Sequence, residues 1–143
     1  MNFKTFSYHD AENILKNKKL LKEIEEINVS LKPEEAQHNS IQRQFQQRGW
    51  QLEKYIFNEV TWTWDAYKDK VAVSIEFSLI DAIQRDLLRA ILSNMQGELD
   101  VLVFELDLGI SQPHFENVKQ QLEIFSSILK FPIYLIGIDR RQT

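Results

Sequence analysis

Cysteine is absent from the 143 residues. That excludes disulfide scaffolds, Cys-ligated zinc, iron–sulfur clusters and thiol nucleophiles together. Only four Gly and three Pro occur, too few for a collagenous or low-complexity chain. No apolar run approaches the ~18 residues of a membrane span, and no basic-then-apolar N-terminal stretch reads as a signal peptide. Basic residues are not in excess: 17 Lys and Arg face 21 Asp and Glu, giving a net charge of −4. A chain that coats nucleic acid non-specifically shows the opposite balance. A nuclease, which needs carboxylates and only a local basic surface, stays compatible. What is present is 43% hydrophobic and 11% aromatic residues, which excludes intrinsic disorder and predicts one compact domain over 1–143, located in the cytoplasm.

Apolar periodicity predicts the element order α-α-β-β-α-β-α-β. His9 to Asn28 reads as a helix, with Leu20, Ile24 and Ile27 on one face and Ser7 or Asp10 as its cap. After Leu31-Lys32-Pro33, a second helix runs to Arg48 with Ile41 and Phe45 inward, and Gly49 stops it. From Tyr55 to Asp65 the period becomes two, with Val60, Trp62 and Trp64 on one face. Ala66 to Lys70 is polar enough for a hairpin loop, and Val71 to Leu79 alternates again. A third helix is expected over Asp81–Asn94, a buried strand from Asp100 to Leu106, a fourth helix over Pro113–Leu129 and a last strand over Ile133–Ile138. Together these predict an α/β fold around a mixed four- to five-stranded sheet, with one antiparallel hairpin and flanking helices. Helical crossovers before Val101 and Ile133 predict parallel neighbours there.

The hairpin carries the chemistry. Asp65 ends its first strand, and Glu76 lies inside an otherwise apolar second strand, facing the same way as Ser74 and Ser78. A carboxylate there is costly unless paired, and a divalent cation shared with Asp65 is one such partner. The alternative is a solvated sheet face that asks for no partner. With the turn centred on Lys68-Asp69, Asp65 pairs near Ala72, and joint binding with Glu76 then needs a bulge, strong twist or a register slipped by two. Arg85 and Arg89, four apart on the third helix, can meet phosphates or pair with Asp81 and Asp86 on a solvated face. Lys68 and Lys70 in the hairpin loop are candidates for phosphate contact, or ordinary loop lysines. His9, His38 and His114 lack metal-ligand spacing and read as surface or capping residues. Trp62 and Trp64 read as core. No glycine-rich phosphate loop exists.

Several blocks resemble one family in a shared order. They are Tyr8-His-Asp-Ala-Glu-Asn-Ile-Leu15, Lys22-Glu-Ile-Glu-Glu26, Trp50, Asp65, Val73-Ser-Ile-Glu-Phe-Ser78, Arg89 and Phe131-Pro-Ile-Tyr-Leu-Ile-Gly137. The sequence is similar to the BglII-type restriction endonucleases, a branch of the PD-(D/E)xK nucleases. The resemblance implies a restriction-endonuclease-like core, double-stranded DNA as partner, a homodimer using helical surfaces, and Mg²⁺. It makes Asp65 the first acid, places Ser74 where the second is normally Glu, and puts Glu76 third; read two residues later, with a longer loop, it makes Glu76 the second acid and Ser78 the third. Asp65, Ser74 and Glu76 are then the catalytic set, with Asp65, Glu76 and the Ile75 carbonyl as metal ligands. The serine leaves a second reading open, a catalytically inactive relative acting as a protein-binding or regulatory module.

Overall fold

The computed structural model describes residues 2–57, 62–77, 80–108 and 114–140. The expectations placed on Glu59, Val60, Thr61, Ser78, Leu79, Gly109, Pro113 and 141–143 lie outside them. In chain order the elements are β1 (Phe3–Tyr8), α1 (Ala11–Asn17), α2 (Leu21–Ser30), a short 3₁₀ turn (Pro33–Glu35) and α3 (His38–Gln47). Then come β2 (Gln51–Tyr55), β3 (Thr63–Lys68), β4 (Val71–Glu76), α4 (Ile80–Met95), β5 (Val101–Asp107), α5 (His114–Ile124) and β6 (Ile133–Ile138).

The six strands form one mixed sheet in the order β1-β6-β5-β4-β3-β2. The β4–β5 and β5–β6 pairs are parallel, as their helical crossovers require. The two strands beyond the sequence expectation, β1 and β2, are both edges. Their alternating exposure leaves one side wet, so neither displays an apolar run. The single first helix divides in two: Lys19 takes a left-handed φ of 64°, and α2 restarts at Leu21. Asp10 holds the N-cap position of the first segment without a side-chain cap bond, while Ser7 Oγ in β1 accepts the Glu12 N–H at 2.9 Å. Gly49 ends α3 with φ +88°, a conformation glycine adopts without Cβ strain.

Helices cover both faces. On one, Leu15, Ile24, Ile27, Ile41 and Phe45 from α1–α3 pack on Val71, Val73, Val101 and Val103. On the other, Ile83, Leu87 and Ala90 of α4 and Phe115, Val118 and Leu122 of α5 pack on Trp64, Ala72, Leu102, Phe104 and Leu135. Each large side chain so buried contributes roughly 1.5–3 kcal/mol. One polar group sits deep inside the first layer. Glu105 on β5 has 0% exposure, and burial pushes its carboxyl up to about 8, against a smaller downward pull from Asn28. Neither Glu105 oxygen nor Asn28 Oδ1 has a hydrogen-bond partner of normal geometry. A neutral Glu105 accounts for both, since its O–H can donate to Asn28 Oδ1.

Candidate active site

The hairpin between β3 and β4 turns at Asp69 and Lys70, with φ of 50° and 62°. Two left-handed residues make the tight turn whose twist suits flanking strands. Pairing runs Lys68↔Val71, Tyr67↔Ala72, Ala66↔Val73 and stops. The turn therefore lies one residue later than expected, and β3 continues through Tyr67 and Lys68, which the sequence suggested were loop. Extending the ladder sets Asp65 against Ser74 rather than Ala72, the slip of two that joint action with Glu76 requires.

The strands part where Asp65 begins. On its other side, β2 pairs Leu52↔Ala66 and Lys54↔Trp64, and Glu53 between them has φ 53°. Asp65 uses its carboxylate to bridge the opened gap. Oδ2 accepts the Ile75 N–H at 2.6 Å, replacing a ladder bond. The N–H and C=O of one strand residue face the same neighbouring strand, so the Ile75 carbonyl faces this gap too.

Two polar side chains brace Asp65 from below. His38 and Gln42 stand four apart on α3 and share a face. His38 Nε2 lies 2.9 Å from Asp65 Oδ1, and this bond raises the imidazole to about 8, so it is a cation at neutral pH. Gln42 Nε2 donates to the Asp65 carbonyl at 3.0 Å and to Glu53 Oε1 at 2.8 Å. Thr63 Oγ1 donates to Glu53 Oε2 at 2.6 Å, and that bond leads the causes holding the Glu53 carboxyl below its ordinary value. His38 is a surface residue as the sequence reading had it, with its side chain 44% exposed, and the structure adds its hydrogen bond to Asp65. Its only signal is the His38–Gln42 spacing, which points to no strand in particular.

The solvated-face alternative for β4 does not hold, because helices cover both sides of the strand. Ala72 and Ser74 lie under α4, at 0% and 5% exposure. Ser74 Oγ donates to Asp86 Oδ2 at 2.8 Å. Asp86 is itself 5% exposed, so it does not belong to a wet helix face, and burial raises its carboxyl. Arg89 Nη1 approaches Asp86 Oδ1 at 3.6 Å while its guanidinium stacks 4.4 Å over the Trp62 ring. Trp64 is core, whereas Trp62 keeps 42% exposure. Glu76 is pushed up to about 7 by burial first, then by the Asp86 and Asp65 carboxylates. Arg85 and His38 offset its charge only through space.

Asp65, Ser74, Ile75 and Glu76 are therefore brought together, with Arg85 nearby. The hairpin lysines are not. Lys70 sits at the turn, six residues along β4 from Glu76, or about 20 Å at strand rise. Lys68 turns to the other layer and donates to Glu23 Oε1 at 3.2 Å and to the Arg48 carbonyl at 2.9 Å, which corrects its reading as a free phosphate contact.

The profile of the restriction endonuclease BglII/BglIII family matches residues 3–138. This chain belongs to that family. Its fold is similar to the crystal structure of restriction endonuclease BglII complexed with a DNA 16-mer. The TM-score is 0.83 at 19% identity, over 96% of this chain and 78% of that one. No curated protein sequence matches.

Enzymes of this family generally use a divalent metal. Among the described residues, no three His, Cys, Asp or Glu already close on a common point as a cation cage. The donor chemistry nevertheless fits a hard cation. Asp65 and Glu76 carboxylates and the Ile75 carbonyl are all oxygen ligands of the kind Mg²⁺ takes alongside retained waters. Burial and, after it, the neighbouring Asp86 and Asp65 carboxylates disfavour the charged form of Glu76, and a dication beside it offsets both. No described helix is long and apolar enough to cross a membrane.

Proposed function

We propose that this chain is a cytoplasmic homodimer that binds duplex DNA and hydrolyses its phosphodiester bonds with Mg²⁺ held by Asp65, Glu76 and the Ile75 carbonyl. The observation that carries the reading is the parted hairpin. Asp65 Oδ2 takes the Ile75 N–H at 2.6 Å exactly where β3–β4 pairing ends, so acid and strand backbone converge on one gap. His38 and the Ile75 N–H fix the Asp65 carboxylate and leave its remaining lone pairs for the ion. Ser74 Oγ, whose O–H donates a hydrogen bond to Asp86, still has lone pairs to accept from and orient a water. A bound divalent ion supplies charge neutralisation at the phosphate and lowers the pKa of its water. Arg85, exposed on α4 beside Glu76, presents a planar fork of donors to a phosphate, and Lys70 offers a more distant contact.

The α4–α5 surface supports the dimer. Leu87, Leu88, Ile91, Phe125, Ile128 and Leu129 line an apolar groove there, with Leu88 and Ile128 at 65% and 54% exposure. Exposed apolar surface of this kind marks an interface.

Plasmid DNA incubated with Mg²⁺ or Mn²⁺ tests the reading. Nicking or linearisation by the wild type, lost in Asp65→Ala, is the expected result. Neither cleavage nor DNA retention by the wild type overturns it and leaves an inactive relative.

A further inference from the structure

The alternation of two neighbouring strands breaks at one place. On β3, Trp64 packs in the α4–α5 layer and Ala66 in the α1–α3 layer, although residues two apart on a strand normally share a face. β2 does the same. Leu52 packs in the α1–α3 layer, while the Lys54 ammonium lies 5.6 Å from the Tyr67 ring, which belongs to the other layer. The residues between are Glu53 and Asp65, and they stand opposite each other. Pairing keeps one register on either side of them, Leu52↔Ala66 and Lys54↔Trp64. No residue has been inserted, so this is not a bulge.

Glu53 carries the backbone strain of the break. Its φ is 53°, a left-handed conformation that a residue with a Cβ rarely takes. Such a conformation persists only where its surroundings over-determine it, and it clusters at working sites. The side chains show what it achieves here, because Glu53 and Asp65 both turn to α3. Glu53 Oε1 accepts from Gln42 Nε2 at 2.8 Å, and the same nitrogen donates to the Asp65 carbonyl at 3.0 Å. Thr63 Oγ1 donates to the second Glu53 oxygen at 2.6 Å. The Gln42 side chain is 7% exposed and ties the two strands together at the point where they change face. With Asp65 held on this side, its Oδ2 reaches the Ile75 N–H.

We propose that Glu53 is a positioning residue: through Gln42 and its own left-handed backbone it turns Asp65 into the gap beside Ile75, without itself touching cation or DNA. This inference rests on the reading of the site as a divalent-cation nuclease.

Two variants separate shape from charge. Glu53→Gln keeps the bracing, since its amide oxygen accepts from Gln42 and its NH₂ donates to Thr63, whose hydroxyl accepts as well as donates. Glu53→Gly keeps the left-handed backbone without steric cost and removes the side chain, and its thermal midpoint checks the fold. Hydrogen exchange of the Ile75 amide in metal-free protein reports whether Asp65 still holds that N–H, with Val73, inside the β3–β4 ladder, as reference. Plasmid cleavage with Mg²⁺ gives kcat and KM. In Glu53→Gly the Ile75 amide should exchange about tenfold faster, the scale of one hydrogen bond to a charged group, with Val73 unchanged. Its kcat should fall between about tenfold and a hundredfold, the scale for a slightly misplaced reacting group, with KM unchanged. Glu53→Gln should stay within about threefold of the wild type in both. If Glu53→Gly does not fold, Gln42→Met cuts the same link from α3 and takes its place.

Glu53→Gly with wild-type Ile75 exchange and kcat overturns the proposal and leaves the nuclease reading intact. Glu53→Gln that loses kcat as Glu53→Gly does, with Ile75 still protected, also overturns it, because the Glu53 charge then acts on cation or substrate. Wild type that cuts no DNA removes the nuclease reading instead, and the metal-free exchange still decides whether Glu53 orients Asp65.

Discussion

Replacing Glu105 by Gln isolates, among the described residues, a carboxyl buried without a hydrogen-bond partner. The side chain is fully enclosed, and burial raises its pKa from the usual 4.5 to about 8. Between those values the folded state keeps a proton that the unfolded chain releases. Stability from this residue is therefore undiminished below pH 4.5 and falls as pH rises towards 8. Each pH unit in that window is worth about 1.4 kcal/mol, so about 3 kcal/mol is lost by pH 7. Gln has nearly the same shape, carries no charge, and its amide N–H is a donor of the kind a protonated acid offers. Glu105→Gln should match the wild type near pH 4.5 and exceed it by about 3 kcal/mol at pH 7. At 2–4 °C per kcal/mol, a scale taken from slightly longer chains, that is a thermal midpoint about 6–12 °C higher. Thermal unfolding of both proteins across this pH range reads the difference directly, and other titrating groups cancel in it. A variant no more stable at pH 7, or a difference that does not change with pH, refutes the argument.

Gly137→Ala tests the close packing of β6 under α5. A Cβ there would meet Leu108 Cδ2 at 2.6 Å and Phe115 Cδ2 at 2.7 Å, so denaturant unfolding should show a loss of about 1–3 kcal/mol. His38→Gln removes a cation whose pKa the Asp65 hydrogen bond raises from 6.5 to about 8. In cation-free buffer, the stability that wild type holds over this variant should be complete below about pH 6.5 and fade as pH climbs past about 8, read from urea midpoints. The proposed homodimer predicts that Leu88→Glu, which places a charge on the exposed apolar groove of α4, sediments as a folded monomer while wild type sediments as a dimer.

The second half of the fold was legible because burial imposes clear patterns. The run Val101–Phe104 and the stripe Phe115, Val118, Leu122 announce a central strand and its covering helix, and β6 falls at its expected bounds. Edge strands leave no such trace. Gln51–Tyr55 is exposed at every other residue and contains a single aliphatic residue, Leu52. The hairpin register was hidden for a different reason. Asp69 and Lys70 adopt left-handed φ without glycine, so the usual Asn-Gly or Asp-Gly signal is missing. At the site, Asp65 and Glu76 could be read because carboxylates interrupt or end apolar strands. The parts His38 and Asp86 play could not. One meets Asp65 across 27 positions and the other reaches Ser74 from a different layer, contacts that only the tertiary fold creates.

The central claim is that Asp65 and Glu76 act on one cation in the gap where β3 leaves β4. Anomalous scattering from a crystal soaked in Mn²⁺ addresses it most directly. The account predicts a peak within coordination distance of oxygens from both side chains. A peak elsewhere, or none with the two carboxylates still parted across the gap, contradicts it.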